Sequence, residues 1–145
     1  MPPATLLTRP APTRPSPPAV PVPFSCEWTD GGAGAAWVKP SGELDLFTAP
    51  QLDAALRAAQ AAAPRVVLDL RGVEFFDSAA FHVIVEASIR ARESAGCLVG
   101  VRGPEQVQRA LSLIGIPESV EIVALHPTHP PVQALLELAR TEATV

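Results

Sequence analysis

From Phe24 onward the apolar positions of this 145-residue chain switch between a period of two and a period of three to four, and the switches outline its elements. Phe24 to Trp28 and Ala35 to Val38 read as two short strands around the turn-rich TDGGAG, where glycine supplies positive φ, so an opening hairpin is predicted. After KPSGELDLF the period lengthens. Leu52, Ala55, Leu56 and Ala59 recur at the spacing of one buried helical face, with Thr48 as the predicted N-cap and Pro50 tolerated in the first turn. That helix is expected to stop at Ala63, before Pro64. RVVLDL, Arg65 to Leu70, is nearly all apolar, the mark of a strand covered on both faces, and is placed at the sheet centre.

A second helix follows FFDSAAFHV, with Phe81, Ile84, Val85, Ser88 and Ile89 as its predicted inward stripe and Gly96 as its terminator. Glu86 and Arg90 fall one turn apart on its other side. CLVGV is another buried strand, and Pro104 opens a helix with Val107, Ala110, Leu111 and Ile114 inward, closed by Gly115. VEIVAL is the last short strand. Pro130 and Pro131 then start a helix with Val132, Leu135, Leu136 and Ala139 on one face. The predicted order, β-β-α-β-α-β-α-β-α, is that of an α/β protein: a mixed sheet with right-handed crossovers, packed against about four helices.

Composition changes this picture mainly at the N-terminus. Residues 1–23 hold most of the 17 prolines and no hydrophobic period, so they are read as a disordered extension, leaving a single domain over 24–145. The extension carries Arg9 and Arg14 but has neither the apolar core of a signal sequence nor the amphipathic period of a transit peptide. Nowhere does an apolar run approach the ~20 residues needed to span a bilayer, so a soluble, cytoplasmic protein is expected. A net charge of −4 and a single lysine argue against direct nucleic-acid binding, which needs clustered basic residues. Cys26 and Cys97, each among apolar neighbours, read as reduced buried thiols.

Candidate chemistry is sparse. There is no G-x-x-x-x-G-K-S/T phosphate loop and no G-x-S-x-G elbow, and GGAGA precedes a strand, so it is a hairpin turn and not a dinucleotide loop. His126 and His129 in HPTHPP are flanked by prolines and lack a third ligand nearby, so a solvated loop is expected in place of a metal site. Trp28 and Trp37 are read as core or rim aromatics. Two acidic motifs remain, GELD (Gly42 to Asp45) and FFDSAAF, both directly after strands, where the loops of an α/β sheet present side chains. Asp77 and Ser78 admit two readings. An Asp at a helix start accepts backbone N–H bonds and suits the helix dipole, worth about 1 kcal/mol. A hydroxyl at the first helical position also stands where unpaired N–H groups can receive a phosphate, which suits a phosphorylation switch.

SGELDLFTAPQLDAAL, RVVLDLRGVEFFDSAAFHVIVEASIRARESAGCLVGV and PEQVQRALSLIGIPESVEI resemble, in order and spacing, the STAS domain of bacterial anti-sigma factor antagonists. The resemblance covers nearly everything from Phe24 to the last helix. It implies a STAS fold in which the hydroxyl after the Asp of the D-S motif, here Ser78, is phosphorylated by the anti-sigma factor, a serine kinase. It further implies that Asp45 lies beside that hydroxyl and that Asp45, Asp77, Ala79, Phe81 and His82 form the partner-binding surface. The implied activity is partner switching: the unphosphorylated protein docks on the kinase and releases a sigma factor, and phosphate on Ser78 ends the docking. No cofactor and no catalysis by this chain are implied; ATP belongs to the kinase.

The motif departs from the usual D-S-S/T-G-L-G. Ala79 removes the second hydroxyl, and Ala80 and His82 replace both glycines. This keeps open a scaffold or sensory STAS protein, part of a signalling assembly or accessory to a transporter, that does not depend on Ser78 phosphorylation. An enzyme using Asp45, Asp77 and Ser78 is disfavoured, because the one histidine nearby, His82, sits a turn along the same helix and is poorly aimed as a base. His82 is expected to face outward beside Glu86.

Overall fold

The computed structural model describes residues 23–115 and 120–143, so the proline-rich stretch read as an extension lies almost wholly outside the described residues. The sheet is organised by the ten-residue strand β2 (Ala35–Leu44). On one side it pairs antiparallel with β1 (Ser25–Gly32), Trp28 opposite Val38, through a turn in which Gly32, Ala33 and Gly34 all take positive φ. The predicted hairpin is therefore present, with longer arms than its apolar positions suggested.

On the other side β2 has two parallel partners in succession. Its first half pairs with β3 (Arg65–Asp69), from Ala35 opposite Arg65 to Val38 opposite Leu68. Its second half pairs with β4 (Gly72–Phe76), from Ser41 opposite Gly72 to Leu44 opposite Phe76. β4 is an addition to the predicted order, which becomes β-β-α-β-β-α-β-α-β-α. GVEFF escapes a sequence reading because it opens on glycine and shows no regular alternation, and a register shift at Gly42/Glu43 breaks its face pattern further.

β3 and β4 thus follow one path along β2, interrupted between Asp69 and Gly72. The residues of β2 at the interruption are Lys39 and Pro40, and Pro40 has no N–H to give to a ladder. A partly buried ion pair closes the gap. Asp69, 3% exposed, accepts from the Arg71 backbone N–H (3.1 Å), Nε (2.9 Å) and Nη2 (2.8 Å), and Arg71 Nη1 donates to the His126 carbonyl at 3.0 Å. The hydrogen bond to Asp69 holds the Arg71 guanidinium above its ordinary pKa. Beyond β3 lie β5 (Cys97–Val101) and β6 (Val120–Val123), both parallel, for a sheet order of β1-β2-β3-β5-β6.

The main core is built where α1 (Ala49–Ala62), α2 (Ser78–Glu93) and α3 (Glu105–Ile114) meet the sheet. It includes Leu44, Leu52, Leu56, Leu68, Phe76, Ile84 and Leu111. A smaller cluster, Val67, Val99, Val101 and Ala134, joins the sheet to α4 (Gln133–Ala143). Val66 and Val67 belong to different clusters, which is why RVVLDL is apolar at consecutive positions. No described helix is long and apolar enough to cross a membrane.

Several predicted details are corrected. Thr48 makes no side-chain cap bond to α1; its hydroxyl is engaged elsewhere, as described below. In α2 the buried face is Ala80, Ile84, Ala87, Ser88 and Ala91, while Ile89 is exposed and Phe81 and Val85 are half-buried. Alanines let this helix approach closely, and that decides its rotation over the larger Ile89. In α3 Gln108 is buried because its Oε1 accepts the Gly103 N–H at 3.0 Å, and Ile114 turns outward. In α4 Leu136 and Ala139 are exposed, and Ala134, Leu135 and Leu138 face the second cluster. Arg90, placed with Glu86 on the outer side of α2, is half-buried, and its Nε donates to Gln60 Oε1 at 3.0 Å, bridging α2 to α1. Cys26 on β1 and Cys97 on β5 have β2 and β3 between them, and at about 4.8 Å per strand spacing they lie well beyond disulfide reach. Burial, with Glu27 adding to it, pushes the Cys26 thiol up to about 11.

Candidate functional site

The two acidic motifs, separated in sequence by all of α1 and β3, meet at one end of the sheet. Leu44 is the register partner of Phe76, so Asp45 and Asp77 leave neighbouring parallel strands side by side, and the Asp77 N–H donates to the Leu44 carbonyl at 3.1 Å. The placement of Asp45 beside the D-S pair thus follows from strand register.

Each carboxylate is committed first to its own backbone. Asp77 is the N-cap of α2: it has extended dihedrals, and its Oδ1 accepts from the N–H groups of Ala79 (2.9 Å) and Ala80 (3.5 Å). Ser78 is the first helical residue and is exposed. Its hydroxyl therefore stands at the positive end of the helix dipole, beside a carboxylate turned toward the amides.

Asp45 is held the same way in a different setting. Its Oδ1 accepts from the N–H groups of Phe47 (2.9 Å) and Thr48 (3.0 Å), and its own N–H donates to Thr48 Oγ1 at 2.9 Å. The Thr48 hydroxyl in turn donates to the Glu43 carbonyl at 2.7 Å. The threonine read as a helix cap is instead a clip that folds the loop back on β2.

The other residues expected on this surface divide. His82 is exposed, four positions after Ser78, and its ring meets Phe81 edge-on at 6.3 Å. Ala79 is half-buried. Phe81 is packed against the main core, so most of its ring area serves folding. Three residues not among the expected site residues stand out here: Phe47 is 85% exposed, Leu46 68%, and Phe75 on β4, paired with Glu43, 48%. The available signal was an apolar pair wedged between Asp45 and Thr48 in a segment too short to be a strand or helix.

A separate cleft of about 740 Å³ opens over the strand interruption, lined by Lys39, Ser41, Asp69, Arg71, Thr128 and His129 among others. His126 Nδ1 lies 2.8 Å from Thr128 Oγ1, and the His126 and His129 rings are 5.7 Å apart. Among the described residues no three His, Cys, Asp or Glu side chains gather as a metal site would require.

A family model described as Mlab, STAS domain, matches residues 31–142. No curated protein matches the chain closely enough in sequence to count as a relative. Among solved structures, an anti-sigma factor antagonist from Mycobacterium paratuberculosis is similar at 25% identity and a TM-score of 0.67, over 83% of this chain and 99% of that one. A Thermotoga maritima protein assigned as an anti-sigma factor antagonist is similar at 24% identity and a TM-score of 0.63, over 81% and 95%. The anti-sigma factor antagonist SpoIIAA of Bacillus, in its unphosphorylated form, shares 14% identity at a TM-score of 0.63, over 83% and 99%. The last two likenesses speak for the fold alone.

Proposed function

The chain belongs to the STAS domain family, and from that premise we propose that it is an anti-sigma factor antagonist, a non-catalytic partner-switching protein that docks on an anti-sigma factor serine kinase and frees a sigma factor. Phosphorylation of Ser78 is the off-switch. The observation that carries this reading is the exposed Ser78 hydroxyl at the first position of α2, directly after Asp77 and at the sheet end where Asp45 also emerges. A kinase needs an accessible hydroxyl. Ser88, by contrast, is 1% exposed within the helix.

Phosphate on Ser78 adds roughly −1.5 to −2 charge at pH 7. It arrives on a surface already carrying Glu43, Asp45 and Asp77, and a partner suited to the unmodified surface meets both repulsion and a desolvation cost.

The decisive measurement is incubation of the full chain with serine-kinase anti-sigma factors and ATP, followed by mass mapping. One phosphate on Ser78 is expected, with loss of kinase binding; Ser78→Asp should weaken binding and Ser78→Ala should keep it. Phosphate on Ser41 or Thr48 with Ser78 unmodified overturns the assignment. A second reading is favoured by one observation: Ala79 and Ala80 occupy positions where the D-S motif carries a hydroxyl and a glycine, and Ala80 is fully buried. No phosphate on any residue, with stable binding to a signalling or transporter assembly, would assign the chain to that scaffold class.

A further inference from the structure

Phe47 is the most exposed large apolar side chain among the described residues, and the loop that carries it is held in place. Between Glu43 and Thr48 four hydrogen bonds run through two side chains: the Asp45 carboxylate takes the amides of Phe47 and Thr48, and the Thr48 hydroxyl takes the Asp45 amide and gives its proton to the Glu43 carbonyl. This reciprocity is that of a capping box, and it fixes the connection between β2 and α1. Such a connection has no use for two adjacent apolar side chains in water, since turns ordinarily carry small polar residues. With Phe75 on the adjoining strand, Leu46 and Phe47 make three exposed apolar side chains at the sheet end that presents Ser78.

We infer that Phe47 is the anchor by which the protein partner of this site grips the chain, and that Asp45 is a positioning residue that holds Phe47 out and not a charge that the partner reads. The inference rests on the partner-switching reading above and names the contact within it. An aromatic side chain on a backbone already held in one conformation loses less conformational freedom on docking, a condition that favours one side chain dominating an interface. The occupant is a protein face with an apolar pocket for the ring and basic residues at its rim, because the exposed Glu43 and the half-buried Asp77 lie at the same sheet end. Rim charges steer association and add little to affinity.

Position and charge are separated by Asp45→Asn. The amide oxygen of Asn still accepts the Phe47 and Thr48 amides, while the charge is gone. With purified serine-kinase anti-sigma factors from the same genome as probes, Phe47→Ala should weaken binding about 30-fold, a loss of about 2 kcal/mol at 1.4 kcal/mol per decade. Asp45→Ala should weaken it about 10-fold, and Asp45→Asn should stay within about 3-fold of wild type. Equal losses for Asp45→Asn and Asp45→Ala would make Asp45 a charge contact and overturn the inference. So would unchanged binding by Phe47→Ala.

Two readouts do not need the partner. The ¹⁵N order parameter of the Phe47 amide should be near ~0.85 in wild type and Asp45→Asn and fall below ~0.6 in Asp45→Ala. A wild-type value already that low means the loop is not preorganised, which sinks the positioning role. The thermal midpoint of Phe47→Ala should match wild type; a fall of several degrees would make the ring a folding element instead. If sedimentation shows a wild-type dimer that Phe47→Ala dissociates, the occupant is a second copy and the partner named here is wrong. If no anti-sigma factor binds the wild-type chain, the partner-switching reading and this occupant fail together, while the order parameter still decides whether Asp45 holds the loop.

Discussion

Leu44 and Phe76 end neighbouring parallel strands, and each is followed by an aspartate whose Oδ1 accepts the amides two and three residues on. After Asp77 the helix begins at once, with Ser78. After Asp45 it waits until Ala49, and the residues between form a turn. The hydrogen-bond device is the same, so the cause lies downstream. A helix starting at Leu46 would place Pro50 where its ring meets the Leu46 carbonyl and where an intrahelical N–H is required. The segment after Asp77 has no proline, and Ala79 and Ala80 are strong helix formers. One aspartate thereby becomes a helix cap presenting a hydroxyl, and the other a loop clip presenting an aromatic ring.

The largest effect should come from undercutting the strands that carry both junctions. Phe76→Ala should cost about 3–5 kcal/mol and Leu44→Ala about 2–5 kcal/mol, both side chains being in the main core. Urea unfolding measures this; a loss below 1 kcal/mol at either would mean that the two strand ends do not share one packed base. Next comes the cap. Asp77→Ala should destabilise by about 1 kcal/mol, and Asp77→Ser should restore most of that. If Ser restores nothing, the carboxylate is not acting through the amides of Ala79 and Ala80.

Smaller still is Pro50→Ala, expected to change stability by less than about 1 kcal/mol while making the two junctions alike, with Leu46 to Thr48 turning helical in their Cα chemical shifts. Shifts that stay those of a turn would put the cause of the delay elsewhere, in the Thr48 clip. The smallest effect near neutrality is that of pH through Cys26. Its folded pKa, about 11, is raised above the ordinary 9.0 by burial, with Glu27 contributing. The stabilisation from keeping this thiol protonated is complete below 9.0 and is lost as pH rises toward 11. Thiolate absorbance in Cys97→Ser should titrate near that higher value; a midpoint at the ordinary one would show that Cys26 is more open than its place on β1 indicates.

Much of the fold was legible because its signals are local. The face of α1 through Leu52, Ala55, Leu56 and Ala59 is buried as its period indicates, and consecutive valines mark β3 as a strand with two covered faces. Where reading failed, size misled. Ile89 looked more core-like than Ala87 or Ala91, yet close helix packing rewards the small residues, and the apolar Ile114 lost its inward place to Gln108, which has a backbone partner. At the site, Ser78 and Asp77 were legible from the change of period at FFDSAAF, whereas Phe47 was not, since exposure is not written in residue type.

The sequence by itself determined the succession of elements other than β4, the start of α2 at Ser78 and the delay of α1, because a cap, a proline and a hydrophobic period each act within a turn or two of their own position. Only the tertiary structure decided that β4 exists, that Asp45 stands beside Asp77, and that Leu46, Phe47 and Phe75 share one exposed end. Those outcomes depend on which backbones compete for the free edge of β2, and Pro40, by interrupting the ladder, leaves the second half of that edge to Gly72–Phe76. A pairing between distant segments is settled by the whole set of alternatives, and no single stretch of the chain contains them.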